Sequence, residues 1–113
     1  MEMVYLTLLF DYYGALLTDK QKQIFEDYYH DNLSLREIGE RYQVSPQGVR
    51  DHLKRTEKLL YTYEEKLQVL ATQTALEKKI TALGQYIKTA EIDEKLKQIL
   101  EEKINTLISE ENY

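Results

Sequence analysis

The sequence predicts an all-α chain, and three observations in its 113 residues carry the prediction. Four glycines and a single proline leave few points at which helices must stop. Apolar residues recur three and four apart almost throughout, which is the period of an amphipathic helix. Helix-start signals stand ahead of those stripes. Thr18 with Gln21, and Ser34 with Glu37, are spaced as capping boxes, in which each partner satisfies a backbone N–H that the helix leaves open.

The elements follow in order. Leu9, Tyr13, Leu16 and Leu17 place a first helix over roughly residues 4–16. A second starts behind Thr18, buries Ile24, Phe25 and Tyr28, and stops at the polar run His30-Asp31-Asn32. A short third, capped by Ser34, turns Leu35, Ile38 and Tyr42 inward, and Gln43-Val44 is the turn that follows. Ser45 caps the next helix, with Pro46 at its first position, where a missing N–H costs nothing. From there nothing stops the helix for some thirty residues. Val49, Leu53, Thr56, Leu60, Tyr63, Leu67 and Leu70 alternate by four and three, the seam of a coiled-coil-like arm. Gly84 and Lys88-Thr89 suggest a break. A last helix follows, with Ile92, Leu96, Leu100, Ile104 and Leu107 on one face. The seam must be covered, by that helix, by the N-terminal helices or by a second copy of the chain, since each buried Leu contributes about 1.5–3 kcal/mol. Two regions are expected: an N-terminal helical domain over 1–60 and a helical extension over 61–113, which continues the long helix and adds a packing or dimerisation helix.

Composition narrows the function. With no cysteine, disulfides and thiolate chemistry are absent, and a reducing, cytoplasmic home is expected. Two histidines without ligand-spaced partners give no metal motif. A mean hydropathy of −0.57 and apolar clusters as short as Leu8-Leu9-Phe10 predict a well-solvated chain with no membrane insertion. Met1-Glu2-Met3 does not open like a secretion signal. No Gly-rich phosphate loop occurs, Ser34 and Ser45 are explained as caps, and Glu64-Glu65 and Glu101-Glu102 read as solvated charge. An enzyme is not expected, nor a cofactor. The net charge of −5 excludes a globally basic nucleic-acid binder, so a polyanion site must be a local patch.

Such a patch exists. Residues 33–56 form a short capped helix, a tight turn and a second capped helix, with Gly39 where two helices need close approach, Val44 plugging the turn, and Val49 and Leu53 returning to the core. This is a helix-turn-helix pattern. At about 100° per residue, Gln47, Arg50, Lys54 and Lys58 fall opposite the buried stripe, with Arg55 at their flank. With Ser45 at the helix start these are the candidate DNA-binding residues: long donors for phosphates, and Gln and Arg able to contact base edges. Arg36 and Arg41 are candidate phosphate contacts. Asp51 on the same face repels phosphate. Residues 41–58 carry five basic groups against Asp51 and Glu57, a local balance of +3, while the rest of the chain carries −8. His52 points to the edge of the inner face and reads as packing.

Ten tyrosines and no tryptophan remain to be placed. Tyr12-Tyr13 and Tyr28-Tyr29 are adjacent pairs, so one of each must lie at a boundary or in solvent. Stacking on unpaired bases is one use. Because the pairs are not interleaved with basic residues, a protein contact, such as a homodimer interface, fits them better.

Residues 15–60 resemble the fourth conserved region of bacterial sigma factors, the helix-turn-helix that reads promoter DNA. The likeness lies in Leu17-Thr18-Asp19-Lys20-Gln21, in Leu33-Ser34-Leu35-Arg36-Glu37-Ile38-Gly39 and in Val44-Ser45. Over nearly the whole chain, residues 10–21 and Arg55-Thr56-Glu57-Lys58-Leu59-Leu60 resemble the YlxM-like family of small bacterial proteins. That resemblance implies an all-helical protein with a sigma-like helix-turn-helix. Genes of the family neighbour those for the signal recognition particle, which implies a regulatory role in that pathway. Two departures are evident. Gln43 stands where sigma-type turns often have Gly, and Pro46 and Gly48 replace larger, often polar residues early in the second helix, which removes a base-reading side chain. The expected function is a DNA-binding regulatory protein of this pathway. The alternative is an adaptor that binds the particle's protein or RNA without binding DNA.

Overall fold

The computed structural model describes residues 2–111, as α-helix throughout apart from short turns and with no strand among them. The order is α1 (Glu2–Tyr13), a 3-10 turn (Gly14–Leu16), α2 (Asp19–Tyr29), α3 (Leu35–Tyr42), α4 (Pro46–Leu67), α5 (Val69–Thr89) and α6 (Glu94–Glu111). Two compact units result, Met1–Leu70 and Ala71–Tyr113.

The first unit is built around α4, against which α1, α2 and α3 all pack. Both capping boxes form. Thr18 Oγ1 accepts from the Gln21 N–H while Gln21 returns to the Thr18 N–H, and Ser34 and Glu37 repeat the exchange. Two apolar clusters hold the helices. In one, Leu6, Leu9, Tyr13 and Leu17 meet Phe25 and Leu60, with the Phe10 and Phe25 rings stacked at 4.4 Å. In the other, Ile24, Ile38, Val49 and Leu53 join α2 and α3 to α4.

Several expectations are corrected. The first helix ends at Tyr13, and the 3-10 turn that follows aims Leu17 inward and leaves Leu16 exposed. In α2, Tyr28 faces out and Asp27 takes the inward position, because its carboxylate accepts from Gln23, Arg41 and Tyr42. The thirty-residue arm is interrupted: Gln68, at φ 54, ends α4 and α5 begins at once. The buried stripe of α4 runs Val49, Leu53, Thr56, Leu60 and Glu64, so Leu67 is exposed and Glu64 is not solvated charge. The break is held by that carboxylate. Tyr13 OH donates to Glu64 Oε1, the Leu70 N–H donates to the same oxygen at 3.1 Å, and Tyr13 OH accepts from the Val69 N–H. Two backbone donors at the start of α5, which a helix leaves open, are thereby satisfied.

The turn between α3 and α4 is the tightest point in the unit. Gln43 adopts the left-handed conformation at φ 57, ψ 46, and the Val44 N–H returns to the Gly39 carbonyl at 2.8 Å. A side chain at this φ carries strain that glycine does not. Gln43→Gly should therefore stabilise the protein by about 1 kcal/mol, read as a raised midpoint in urea denaturation; an unchanged or lowered midpoint would count against strain at this residue.

In the second unit, α5 beyond Leu70 folds back on α6. Ile87 and Ile104 are its buried apolar residues, Gly84 lies beside Ile104, and Lys97 Nζ donates to the Lys88 carbonyl. Asp93 starts α6, accepting from the Leu96 N–H through its carboxylate. Leu96 and Leu107 remain exposed, so the stripe expected for the last helix is only partly covered.

Candidate nucleic-acid interface

Side chains reach the outer face of α4 because its inner face is fully committed to the core. Ser45 fixes where the helix begins: its Oγ accepts from the Gly48 N–H at 3.0 Å, and Pro46 follows at the first helical position. Val44 folds back over Gly48, and its carbonyl packs onto Gly39. From this start, Gln47, Arg50, Lys54, Arg55 and Lys58 all emerge exposed. No hydrogen bond or ion pair within the described residues holds the Arg50, Lys54, Arg55 or Lys58 head groups. Gln47 differs, since its amide nitrogen donates to Asp51 Oδ1 at 3.1 Å. That bond occupies the one acidic group in the middle of the face and leaves the Gln47 carbonyl oxygen as an acceptor for a base-edge donor.

The face has two sides. Arg50 and Lys54 border the groove toward the end of α2 and the start of α3. Arg55 and Lys58 border a shallow concavity of about 370 Å³ that reaches Gln21 at the start of α2. Lys20, beside Gln21 in the first turn of α2, is a further cation near α4. Together with Arg55 it faces His52, and burial followed by these two cations holds the imidazole below its ordinary value of 6.5. His52 Nδ1 is buried with no hydrogen-bond partner among the described residues, as suits a neutral packing residue. Sequence reasoning missed Lys20, because only the packing of α2 on α4 brings it, like Arg55, within electrostatic reach of His52.

The lowered value has a consequence for stability. His52 is neutral in the fold, so below pH 6.5 the unfolded chain takes up the proton first. Stability should fall as the pH drops below 6.5 and level off once the folded imidazole protonates. Comparing urea midpoints of the parent and His52→Gln across that range checks this, and parallel pH profiles would refute it.

The two arginines of α3 are already engaged. Arg36 Nε lies 3.6 Å from Glu40 Oε1 in a solvent-exposed pair, worth about 0–1 kcal/mol and readily exchanged. Arg41 Nη1 lies 2.9 Å from Oδ1 of the buried Asp27, with the guanidinium half exposed. Tyr42 OH donates to the other oxygen of that carboxylate, and its phenol is pushed up by burial and by this bond. Arg41 thus anchors α3 to α2 and has only its outer edge to offer a phosphate.

Among the described residues, no group of three or more His, Asp or Glu side chains is placed to hold a metal ion. No helix among them is long and apolar enough to cross a membrane.

Residues 1–108 match the sequence profile of a family described as "Putative helix-turn-helix protein, YlxM / p13 like". The chain is 49% identical over 86 residues to a UPF0122 protein of Caldanaerobacter subterraneus, an alignment covering 76% of this chain and 74% of that one. It is 42% identical over 104 residues to a UPF0122 protein of Thermoanaerobacter, covering 89% of each. To a UPF0122 protein of Bacillus cereus it is 45% identical over 94 residues, covering 82% of this chain and 86% of the other. With its profile matched almost end to end and a capped helix-turn-helix at its centre, the chain belongs to the UPF0122 family of YlxM / p13-like helix-turn-helix proteins.

Proposed function

We propose that the protein is a cytoplasmic DNA-binding regulatory protein, a binder and not an enzyme, that lays α4 in the major groove of duplex DNA. The observation that supports this reading is the outer face of α4: four cationic head groups without partners among the described residues, on a helix whose start is fixed by Ser45 and whose inner face is packed. Arg50 and Gln47 are the base-reading candidates. Lys54, Arg55 and Lys58 contact phosphates, with Lys20 at the flank and Arg36 and the outer edge of Arg41 further along α3. Arg50→Ala should weaken a specific complex by about 1–3 kcal/mol, and Lys54→Ala, Lys58→Ala or Lys20→Ala should each reduce the salt slope by about one. Fluorescence anisotropy with a DNA selected from a random pool measures both quantities. Equal affinities for parent and Arg50→Ala would refute the assigned reading.

Membership in the signal recognition particle pathway belongs to this proposal through the family resemblance. The second reading, an adaptor that holds the particle's protein or RNA, is favoured by the surplus of acidic residues outside 41–58, which penalises extended contact with a long polyanion. Retention of purified particle protein or RNA on the immobilised chain, unaffected by Arg50→Ala, would support it; retention of neither would remove it. We also propose a homodimer, which pairs two recognition helices on one duplex. Met3, Val4 and Leu8 expose apolar surface on α1 that a second copy would cover. Sedimentation at several concentrations decides, and a monomer mass at all of them refutes the dimer.

A further inference from the structure

Along the chain, Tyr28 and Tyr29 have no basic neighbour, but the fold supplies two. The end of α2, the start of α3 and the middle of α4 enclose a groove of about 200 Å³. Leu35 and Leu53 give it apolar lining, and Arg50 and Lys54 bring two cations to it. Tyr29 is fixed: its OH donates at 2.8 Å to Oε2 of Glu57, an acidic residue that also lines the groove, so the two cations outnumber one hydrogen-bonded carboxylate there. Tyr28 stands edge-on to Tyr29, with ring centroids 5.0 Å apart and planes at 87°, and remains exposed. An aromatic surface held by a second aromatic, an apolar lining and a pair of cations thus share one concavity beside the α4 face.

We propose that this groove receives one unpaired nucleotide of the DNA bound along α4. Its base stacks on Tyr28 against Leu35 and Leu53, and its phosphate lies between Arg50 and Lys54. The inference rests on the DNA-binding reading above and adds a preference to it. The chemistry favours a nucleotide because the ligand must be flat and apolar on one part and anionic on the next. A planar base linked to a phosphate meets both demands at once. Because Arg50 and Lys54 belong to the helix face and to the groove together, the occupant is contiguous with the duplex. The protein therefore recognises a junction, bulge or frayed end in preference to an uninterrupted duplex.

The test uses the full chain and three DNA probes: a paired duplex, the same duplex with one unpaired 2-aminopurine placed in turn at successive positions, and the matching series with an abasic site at those positions. At one position the unpaired base should bind about 5- to 150-fold tighter than its abasic counterpart, with its fluorescence quenched by stacking. Tyr28→Ala should abolish both the gain and the quenching while leaving affinity for the paired duplex unchanged, and Tyr28→Phe should keep both. Equal affinity for base and abasic probes at every position, or a gain that survives Tyr28→Ala, overturns the groove assignment and leaves duplex binding standing. Failure to bind any of the three probes refutes the DNA-binding reading itself, and the groove assignment with it.

Discussion

Gly39→Ala should cost the protein about 3 kcal/mol or more and uncouple the two helices of the helix-turn-helix. A Cβ at position 39 would lie 2.4 Å from the Val44 carbonyl oxygen, far inside van der Waals contact. That oxygen is backbone, so no rotamer change relieves the overlap. It also lies in a turn fixed from two directions, by the left-handed Gln43 and by the Val44 N–H returning to the Gly39 carbonyl. Relief requires α3 to move off α4, which opens the contact of Ile38 with Val49 and Leu53. Overpacking in a well-filled core typically costs about 1–3 kcal/mol, and more where the backbone itself must shift. Gly48 provides the contrast. A Cβ there meets Val44 Cγ1 at 2.8 Å, but this is a side chain at 39% exposure that has room to turn away. Alanine also recovers up to about 1 kcal/mol of helix propensity, so Gly48→Ala should be near neutral. Urea denaturation of both variants decides: a Gly39→Ala protein as stable as Gly48→Ala would contradict the packing described for this turn.

Asp27→Ala is expected to cost about 3 kcal/mol as well, by a different route. Asp27 is fully buried, and its two carboxylate oxygens accept from Gln23 Nε2 at 3.1 Å, Arg41 Nη1 at 2.9 Å and Tyr42 OH at 3.1 Å. Hydrogen bonds to a charged group contribute about 1.5–3 kcal/mol each, and bonds that share one carboxylate are lost together without being additive. The arginine is half exposed, so water compensates part of its loss, which keeps the total below the sum of three such bonds. What remains is a small cavity and a Tyr42 hydroxyl without its acceptor. Since Asp27 ties α2 to α3, the loss should appear first as faster hydrogen exchange in α3. Uniform protection across α2, α3 and α4 in Asp27→Ala would refute this role.

Asp27 also shows where the sequence stops being legible. Helical periodicity and both capping boxes located α2, α3 and the start of α4 within a few residues, because caps and apolar spacing are local signals. Of the three residues the sequence turns inward on α2, Ile24 and Phe25 are buried and Tyr28 is not. A rule that sends apolar residues inward selects Tyr28, whereas the buried position belongs to an aspartate with one donor from α2 and two from α3. Glu64 is the same case: its partners Tyr13 and Leu70 are invisible until α1 packs on α4. Leu67 and Leu70 continued the spacing of the seam, and nothing local in Gln68 announced the left-handed residue that ends α4. For the site, the exposed face of α4 was readable from 3.6-residue periodicity alone. Lys20 near His52, and Arg50 and Lys54 beside Tyr28, were not, because each grouping joins residues of different helices.

DNA binding by α4 is tested most directly by the salt dependence of affinity, measured by anisotropy for the parent and for the Arg50→Ala/Lys54→Ala/Lys58→Ala triple variant, with circular dichroism confirming equal helix content. Each neutralised phosphate contributes about −0.9 to the slope of log K against log salt for duplex DNA. The parent should show saturable binding with a slope of about −3 to −5, and the triple variant should lose about two units of it, for Lys54 and Lys58, together with most of its affinity. A parent that binds no duplex even at low salt, or a triple variant that binds as the parent does, would contradict the assignment.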